Sequence, residues 1–427
     1  MADNLVPNTN SIRDIEEWSS PERRRGNQQL DPIPNEIYLE IISGIHSRKD
    51  LDNLVLTCRF FASVIIPNRF SAIYFADFDH PETAQIASHL KLLKAIRETS
   101  DRRAVSLLKY TRYLEIEFAG SASTSFQRFC EDILLKSPNI KDLNVYDLHS
   151  PSLFKNISEL SNLSSLGLYS LSPSVIYDVT DADIISCASA LRLESLSLYI
   201  RNDGSSTERH QHMEAKFVPL TTIPHLKTLK TYSWPVICGL ASQGTLPPYQ
   251  KLEVGEVEDL LLLYNLVCRI PTLTTLDLNG VRLPENAQIA TPLLSASLSL
   301  SLSPLSNLRT LVMPPHLAYI FAGPHSLREI VLLGALKFDV QSRGLQFSYN
   351  HQVSADIRLL FDHPCIDVER IDHLPCATVR PGGPGYKNMR RCLPKLKYLS
   401  LRVNVDIEGY HYYNAEYKKH SENVRLM

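Results

Sequence analysis

Long apolar stretches are missing from this chain. The longest apolar run, from Leu260 through Tyr264 to Ile270, is broken by Asn265 and Arg269. A membrane-spanning helix needs about 20 mostly apolar residues, so no membrane role is expected. A surplus of one charge sign is missing as well: 44 Lys and Arg stand against 46 Asp and Glu, a net charge of −2. That balance argues against a globally basic nucleic-acid binder and against an acidic solvating chain. Cysteine is sparse, with 8 in 427 residues and no CxxC pair, so a disulfide framework is not expected. A reducing compartment, cytoplasmic or nuclear, fits this usage best. The first residues, MADNLVPNTNSIRDIEEW, hold no apolar h-region, and acids stand where a signal or transit peptide avoids them.

Catalytic fingerprints are missing too. There is no GxSxG elbow, Walker loop, HExxH or GxGxxG. The glycine-rich stretch from Arg380 to Lys387 carries Pro381 and Pro384 where a phosphate cradle needs free backbone N–H groups, so it reads as a loop. His363, Cys365, His373 and Cys376 are zinc-type ligands in a near-duplicate, Asp-His-Pro-Cys and Asp-His-Leu-Pro-Cys. Their spacing matches no standard zinc pattern, and they read as flanks of a repeat. No metal and no cofactor are expected, and no enzyme.

What is present is core material: 44% apolar residues with a heavy excess of leucine. The length fits two or three domains or one elongated array. Residues 1–30 are polar and aperiodic and read as a disordered tail, with Arg23, Arg24 and Arg25 either solvated or an import patch. Order is expected from Asp31. Pro34 suits a first helical position, and Ile37, Ile41 and Ile45 recur every four residues with Ile42 beside them. Asp50 caps a second helix, in which Leu51, Leu54, Val55 and Cys58 share a face. A third apolar run, Arg59 to Ile66, is expected to stop at Pro67. Three short helices make a marginal domain alone, with apolar side chains left for a partner or for the core of a larger domain.

Three segments carry a resemblance. They are Ile33-Pro34-Asn35-Glu36-Ile37 with Ile41-Ile42, then Asp50-Leu51-Asp52-Asn53-Leu54, then Thr57-Cys58-Arg59-Phe60-Phe61. Together with the continuation Ile66 to Phe75, this stretch resembles the F-box of fungal F-box proteins. The resemblance implies docking to the Skp-type adaptor of a cullin–RING ubiquitin ligase. The implied adaptor contacts are Ile33, Pro34, Ile37, Ile41, Ile42, Leu51, Leu54, Cys58, Arg59 and Phe60. Cys58 reads as a small buried hydrophobe.

From residue 111 on, one pattern recurs: an apolar residue, two others, then apolar-x-apolar. Strong copies begin at Ile140, Leu163, Leu193, Leu226, Leu273, Leu308, Leu327 and Leu396, and weaker ones at Thr111 and Val368. Each copy predicts a short period-two strand that cannot bury its apolar face alone, so neighbours must stack. The pattern resembles irregular leucine-rich repeats. The expected fold is therefore α/β, a small three-helix F-box followed by an irregular leucine-rich-repeat solenoid with parallel strands. The expected segments are 31–75 for the F-box, 76–107 for a helical linker and 108–427 for the array. The spacers 201–216, 239–256, 281–306, 335–354 and 376–391 read as loops. The tyrosine-rich carboxy-terminal segment, Tyr410 to Tyr417, reads as a cap or a contact strip.

The position just past the second strand leucine reads Tyr146, Tyr169, Tyr199 and Tyr232 in four consecutive copies. In register they would form a ladder on the sheet face away from the core, spaced at about 4.8 Å per strand. Tyrosine suits recognition, with a large area, few rotamers and a polar tip. These four residues are the candidate target-binding surface, unless they serve only to stabilise the sheet. Clustered arginine, the mark of a phosphate reader, is lacking there. The expected function is the substrate-recognition subunit of a Skp–cullin–F-box type ubiquitin ligase. The alternative is a repeat-based scaffold whose F-box assembles no ligase.

Overall fold

The computed structural model describes residues 35–45, 47–57, 59–76, 102–118, 124–148, 151–171, 173–200, 214–255, 257–278, 305–314, 327–332, 367–375 and 393–402. Two units can be separated: Met1–Gly167 with Leu171–Val179, and Leu168–Ser170 with Thr180–Met427.

The first unit opens with three helices, α1 (Asn35–Ser43), α2 (Arg48–Thr57) and α3 (Arg59–Arg69). Tyr38 of α1 meets Phe60 and Phe61 of α3 edge to face, with ring centroids 5.5 and 5.9 Å apart. An ion pair between Asp52 and Arg69 ties α2 to α3, with Arg69 Nη2 donating to Asp52 Oδ2 at 3.1 Å. Contrary to the expectation of a stop, α3 runs through Pro67 to Arg69. A proline this close to a helix end costs one backbone bond, and Phe70 N–H still reaches the Ile66 carbonyl at 3.1 Å.

Strand β1 (Ala72–Ala76) follows, then β2 (Tyr113–Glu117) and β3 (Asp142–Tyr146). The ladders are parallel and in step, with Ile73 beside Leu114 beside Leu143. Helix α5 (Thr124–Lys136) crosses from β2 to β3; the shorter α4 (Arg102–Leu107) precedes β2. A crossover helix is what a parallel pair requires. After α6 (Ser152–Ser158), strand β4 (Ser165–Leu171) and helix α7 (Pro173–Asp178) carry the chain to the second unit.

The second unit repeats the scheme. Helix α8 (Asp181–Ala190) starts with a reciprocal cap between Thr180 and Asp183. Then come β5 (Ser195–Ile200), α9 (Val218–Thr221), β6 (Thr228–Thr231), α10 (Trp234–Ala241), β7 (Lys251–Val254), α11 (Leu260–Cys268) and β8 (Thr275–Asp277). Strands β9 (Thr310–Met313), β10 (Glu329–Leu332), β11 (Arg370–Pro375) and β12 (Tyr398–Arg402) complete it. Each of β5 to β11 pairs in parallel with the next. Inward positions such as Leu196, Leu198, Leu229, Leu252, Leu276, Leu311 and Ile330 are fully buried. The chain is thus α/β with parallel strands in chain order within each unit. Among the described residues no helix is long and apolar enough to cross a membrane.

Every one of the ten sequence copies coincides with a strand. Two further strands were not anticipated. Residues 239–256, read as a loop, contain the end of α10 and all of β7. The copy is disguised because Tyr249 replaces the opening leucine; its ring is fully buried and its hydroxyl donates to the Thr221 carbonyl. That contact satisfies the phenol, which an ordinary core position would leave orphaned. Strand β1 is the other, in a segment assigned to the F-box continuation, yet it pairs with β2 over five residues. The tail 1–30, most of the linker 76–107, the loops 281–304, 335–354 and 376–391, the His363 and Cys365 end of the Asp-His duplicate and the carboxy-terminal tyrosines lie outside the described residues.

The assignment of β7 predicts a stability effect. Leu252→Ala should cost about 2–5 kcal/mol in urea unfolding, as for a buried leucine. Leu56→Ala, at a site 84% exposed, should change stability by no more than about 0.5 kcal/mol. A silent Leu252→Ala variant would return this segment to a loop.

Candidate functional site

Two surfaces stand out, one on the helices and one on the sheets. On the helices, Ile37, Leu39, Ile41 and Leu56 expose large apolar side chains. Ile37 and Ile41 are one turn apart on α1, so they form one stripe. Ile42, expected beside them, is 8% exposed and serves the packing of the helices. Leu51 and Leu54 are half-buried, and Phe60 is held by the Tyr38 and Phe61 rings. Arg59 opens α3. Ile33, Pro34 and Cys58 lie outside the described residues. Leu39 and Leu56 were not singled out from sequence, because neither falls on the expected buried stripe.

On the sheets, alternation sends every second side chain away from the core. In the first unit the outward positions of β1 to β3 are Ala72, Tyr74, Tyr113, Glu115, Glu117, Asp142, Asn144 and Tyr146. The Tyr74 hydroxyl donates to Glu117, and that of Tyr113 to Glu115. Asn144 Nδ2 donates to the Tyr113 oxygen at 3.0 Å. Burial, then the Glu115 carboxylate, pushes the Tyr113 phenol up to about 12; burial and Glu117 hold Tyr74 well above the usual phenol range. Both therefore stay neutral donors across the physiological range.

In the second unit Tyr169, Tyr199 and Tyr232 hold the ladder position, and Tyr146 belongs to the first unit. The Tyr199 and Tyr232 rings meet edge to face with centroids 5.1 Å apart, close to the expected strand spacing. Lys230 Nζ stands 5.5 Å from the Tyr232 ring centroid and 2.6 Å from Glu253 Oε1. Burial pulls the Lys230 pKa down, but the Glu253 hydrogen bond and charge more than offset it, and the net shift is upward. The ladder stops at Gly255 for a steric reason. A Cβ there would meet the Tyr232 ring at 1.9 Å, so the ring occupies the space of the next side chain. Asp147, at the exit of β3, and Ser170, near the end of β4, directly follow ladder tyrosines and take left-handed φ values of 51° and 55°.

Chemically these surfaces can bind and orient. Among the described residues no group of three or more His, Cys, Asp or Glu could hold a metal ion. The described cysteines, Cys130, Cys187, Cys238 and Cys268, are in no disulfide, and burial pushes the Cys187 thiol up to about 12, which leaves it protonated and unreactive. No family model matches the chain, and no curated protein matches it.

Two outcomes follow from this geometry. Gly255→Ala should displace the Tyr232 ring and destabilise by about 1–3 kcal/mol, read by thermal unfolding and by loss of the Tyr199–Tyr232 contact in a crystal structure. The raised Tyr113 pKa gives a sign for alkaline stability. The unfolded chain ionises this phenol first, near pH 10, so stability is full below about 10 and falls toward about 12. Tyr113→Phe should flatten that fall in denaturant titrations; an unchanged slope would mean that Tyr113 does not contribute.

Proposed function

We propose that this chain is the substrate-recognition subunit of a Skp–cullin–F-box type ubiquitin ligase. One observation carries the reading. Ile37, Ile41 and Leu56 leave large apolar side chains in solvent on short helices, in the segment whose residues resemble the F-box. An apolar stripe at i, i+4 spacing suits a helix set into a partner's groove. The helices would dock the Skp-type adaptor, and through it the cullin–RING ligase. The strands, read as irregular leucine-rich repeats, would hold a protein target, with Tyr146, Tyr169, Tyr199 and Tyr232 among its contacts.

Under this reading the chain does no covalent chemistry. It raises the effective concentration of target lysines near a ubiquitin-charged enzyme. Residues that only bind and position are enough for that task.

The test is co-expression of the full chain with a Skp-type adaptor, beside an Ile37→Asp/Ile41→Asp variant. Both side chains are exposed, 44% and 55%, so folding should survive the change. Adaptor capture by the native chain, weakened at least about thirtyfold in the variant, is expected for a hot-spot pair. Tyr169→Ala/Tyr199→Ala should lose the target while keeping the adaptor. No adaptor capture by the native chain would leave a repeat-based scaffold whose helical face serves another contact.

A further inference from the structure

The outward face of β1 to β3 differs in charge from the same face of the second unit. Of its eight described outward positions, three are tyrosines and three are carboxylates, and none is basic. Asp147, at the exit of β3, adds a fourth carboxylate. With a rise of about 3.3 Å per residue and strands about 4.8 Å apart, Glu115 lies about 7 Å from Glu117 on β2 and about 8 Å from Asp142 on β3, both within one screening length of about 8–10 Å. Glu115 therefore stands between two like charges.

In the second unit the corresponding carboxylates are neutralised from within. Glu253 pairs with Lys230 at 2.6 Å and lies 3.6 Å from Lys251. Glu329 pairs with Arg370 at 3.3 Å. No such cation faces Glu115, Glu117 or Asp142 among the described residues. Arg112 and Lys141 come one residue before the strands, are exposed there, and form no described ion pair with these acids. The hydroxyls of Tyr74 and Tyr113 are spent on the carboxylates. The rings are thereby held in place beside fixed negative charge, and each carboxylate keeps lone pairs for a further donor.

From this we infer that the outward face of β1 to β3 is a docking surface for a basic peptide segment of a partner protein. The aliphatic stems of lysine or arginine would lie on the Tyr74, Tyr113 and Tyr146 rings. Their charged heads would meet Glu115, Glu117 and Asp142, the cations that this face lacks. The surface is separate from the helical apolar stripe and does not depend on adaptor docking. Where the ligase reading holds, it specifies the target as one carrying a basic recognition segment.

The experiment uses the full chain and a fluorescent peptide of alternating arginine and serine, read by anisotropy. A peptide with glutamate for each arginine is the control. Saturable binding of the basic peptide alone is expected, weakening as salt rises. Glu115→Gln/Glu117→Gln/Asp142→Asn should weaken it by about tenfold, the sum of three modest exposed ion pairs. A second variant, Asp132→Asn/Glu159→Gln/Asp178→Asn, makes the same change in net charge at exposed positions off this face and should bind as the native chain does. Circular dichroism checks that each variant is folded. Equal loss in both variants would reduce the effect to net charge and overturn the docking surface, as would absence of saturable binding by the native chain. Adaptor capture is scored separately, so either reading can fail alone.

Discussion

Within each unit one backbone carbonyl at the entry of a strand accepts from two successive amides of the next, and the register of everything else depends on that contact. In the first unit Ser71 accepts from Arg112 and Tyr113 at 2.8 and 2.9 Å, Arg112 from Lys141 and Asp142, and Lys141 from Ser164 and Ser165. In the second unit the same step runs from Glu194 through Lys227, Gln250, Thr274, Arg309, Arg328 and Glu369 to Lys397 and Tyr398. A strand that slipped by one residue would turn its leucines to solvent. The shared carbonyl sets the entry of each strand, and burial of the leucines holds it there. Side chains reinforce the same edge: Asn139 donates to the Lys109 carbonyl at 2.6 Å, Asn162 to Pro138 at 3.0 Å and Asn307 to Pro271 at 2.7 Å.

Once entry is fixed, the outward rows follow. Tyr113 must stand beside Asp142, Glu115 beside Asn144, and Lys230 beside Glu253. These rows are free to vary because they bury little, and here they vary in a way with chemical content. One unit keeps its carboxylates for tyrosine hydroxyls, and the other sets lysines and an arginine against them. The helices on the connections carry the remaining apolar load. Trp234, Val236, Ile237 and Leu240 of α10 and Leu263, Leu266 and Val267 of α11 are buried. The stripe of Ile37 and Ile41 on α1 is not.

Much of the fold was legible because parallel strands buried on one face write a regular apolar pattern. The copies at Leu193, Leu226 and Leu308 needed no tertiary information. The copy at Tyr249 was hidden because its opening residue is satisfied by a carbonyl from a distant turn, Thr221, which no local pattern shows. Strand β1 was hidden because Phe70 to Phe75 reads equally well as the end of a helical module. Pro67 suggested a helix end one turn early, since a proline's cost depends on whether the lost bond lies inside the helix or at its margin. The asparagines before Ile140, Leu163 and Leu308 were a signal available in the sequence, and they mark the polar edge between repeats.

The tyrosine positions illustrate the same division. That Tyr146, Tyr169, Tyr199 and Tyr232 share one register position follows from spacing alone. That Tyr232 folds over Gly255 and ends the ladder is a matter of close approach between strands, with 1.9 Å to a ring where a Cβ would sit. The sequence by itself determined the repeat, the buried face and the parallel order, because these need only periodicity and a length of connection. Tertiary structure alone decided which charges meet. Glu253 acquires Lys230 from the neighbouring strand while Glu117 acquires the phenol of Tyr74, 43 residues away, and electrostatic partners at such separations leave no trace in the local pattern of a chain.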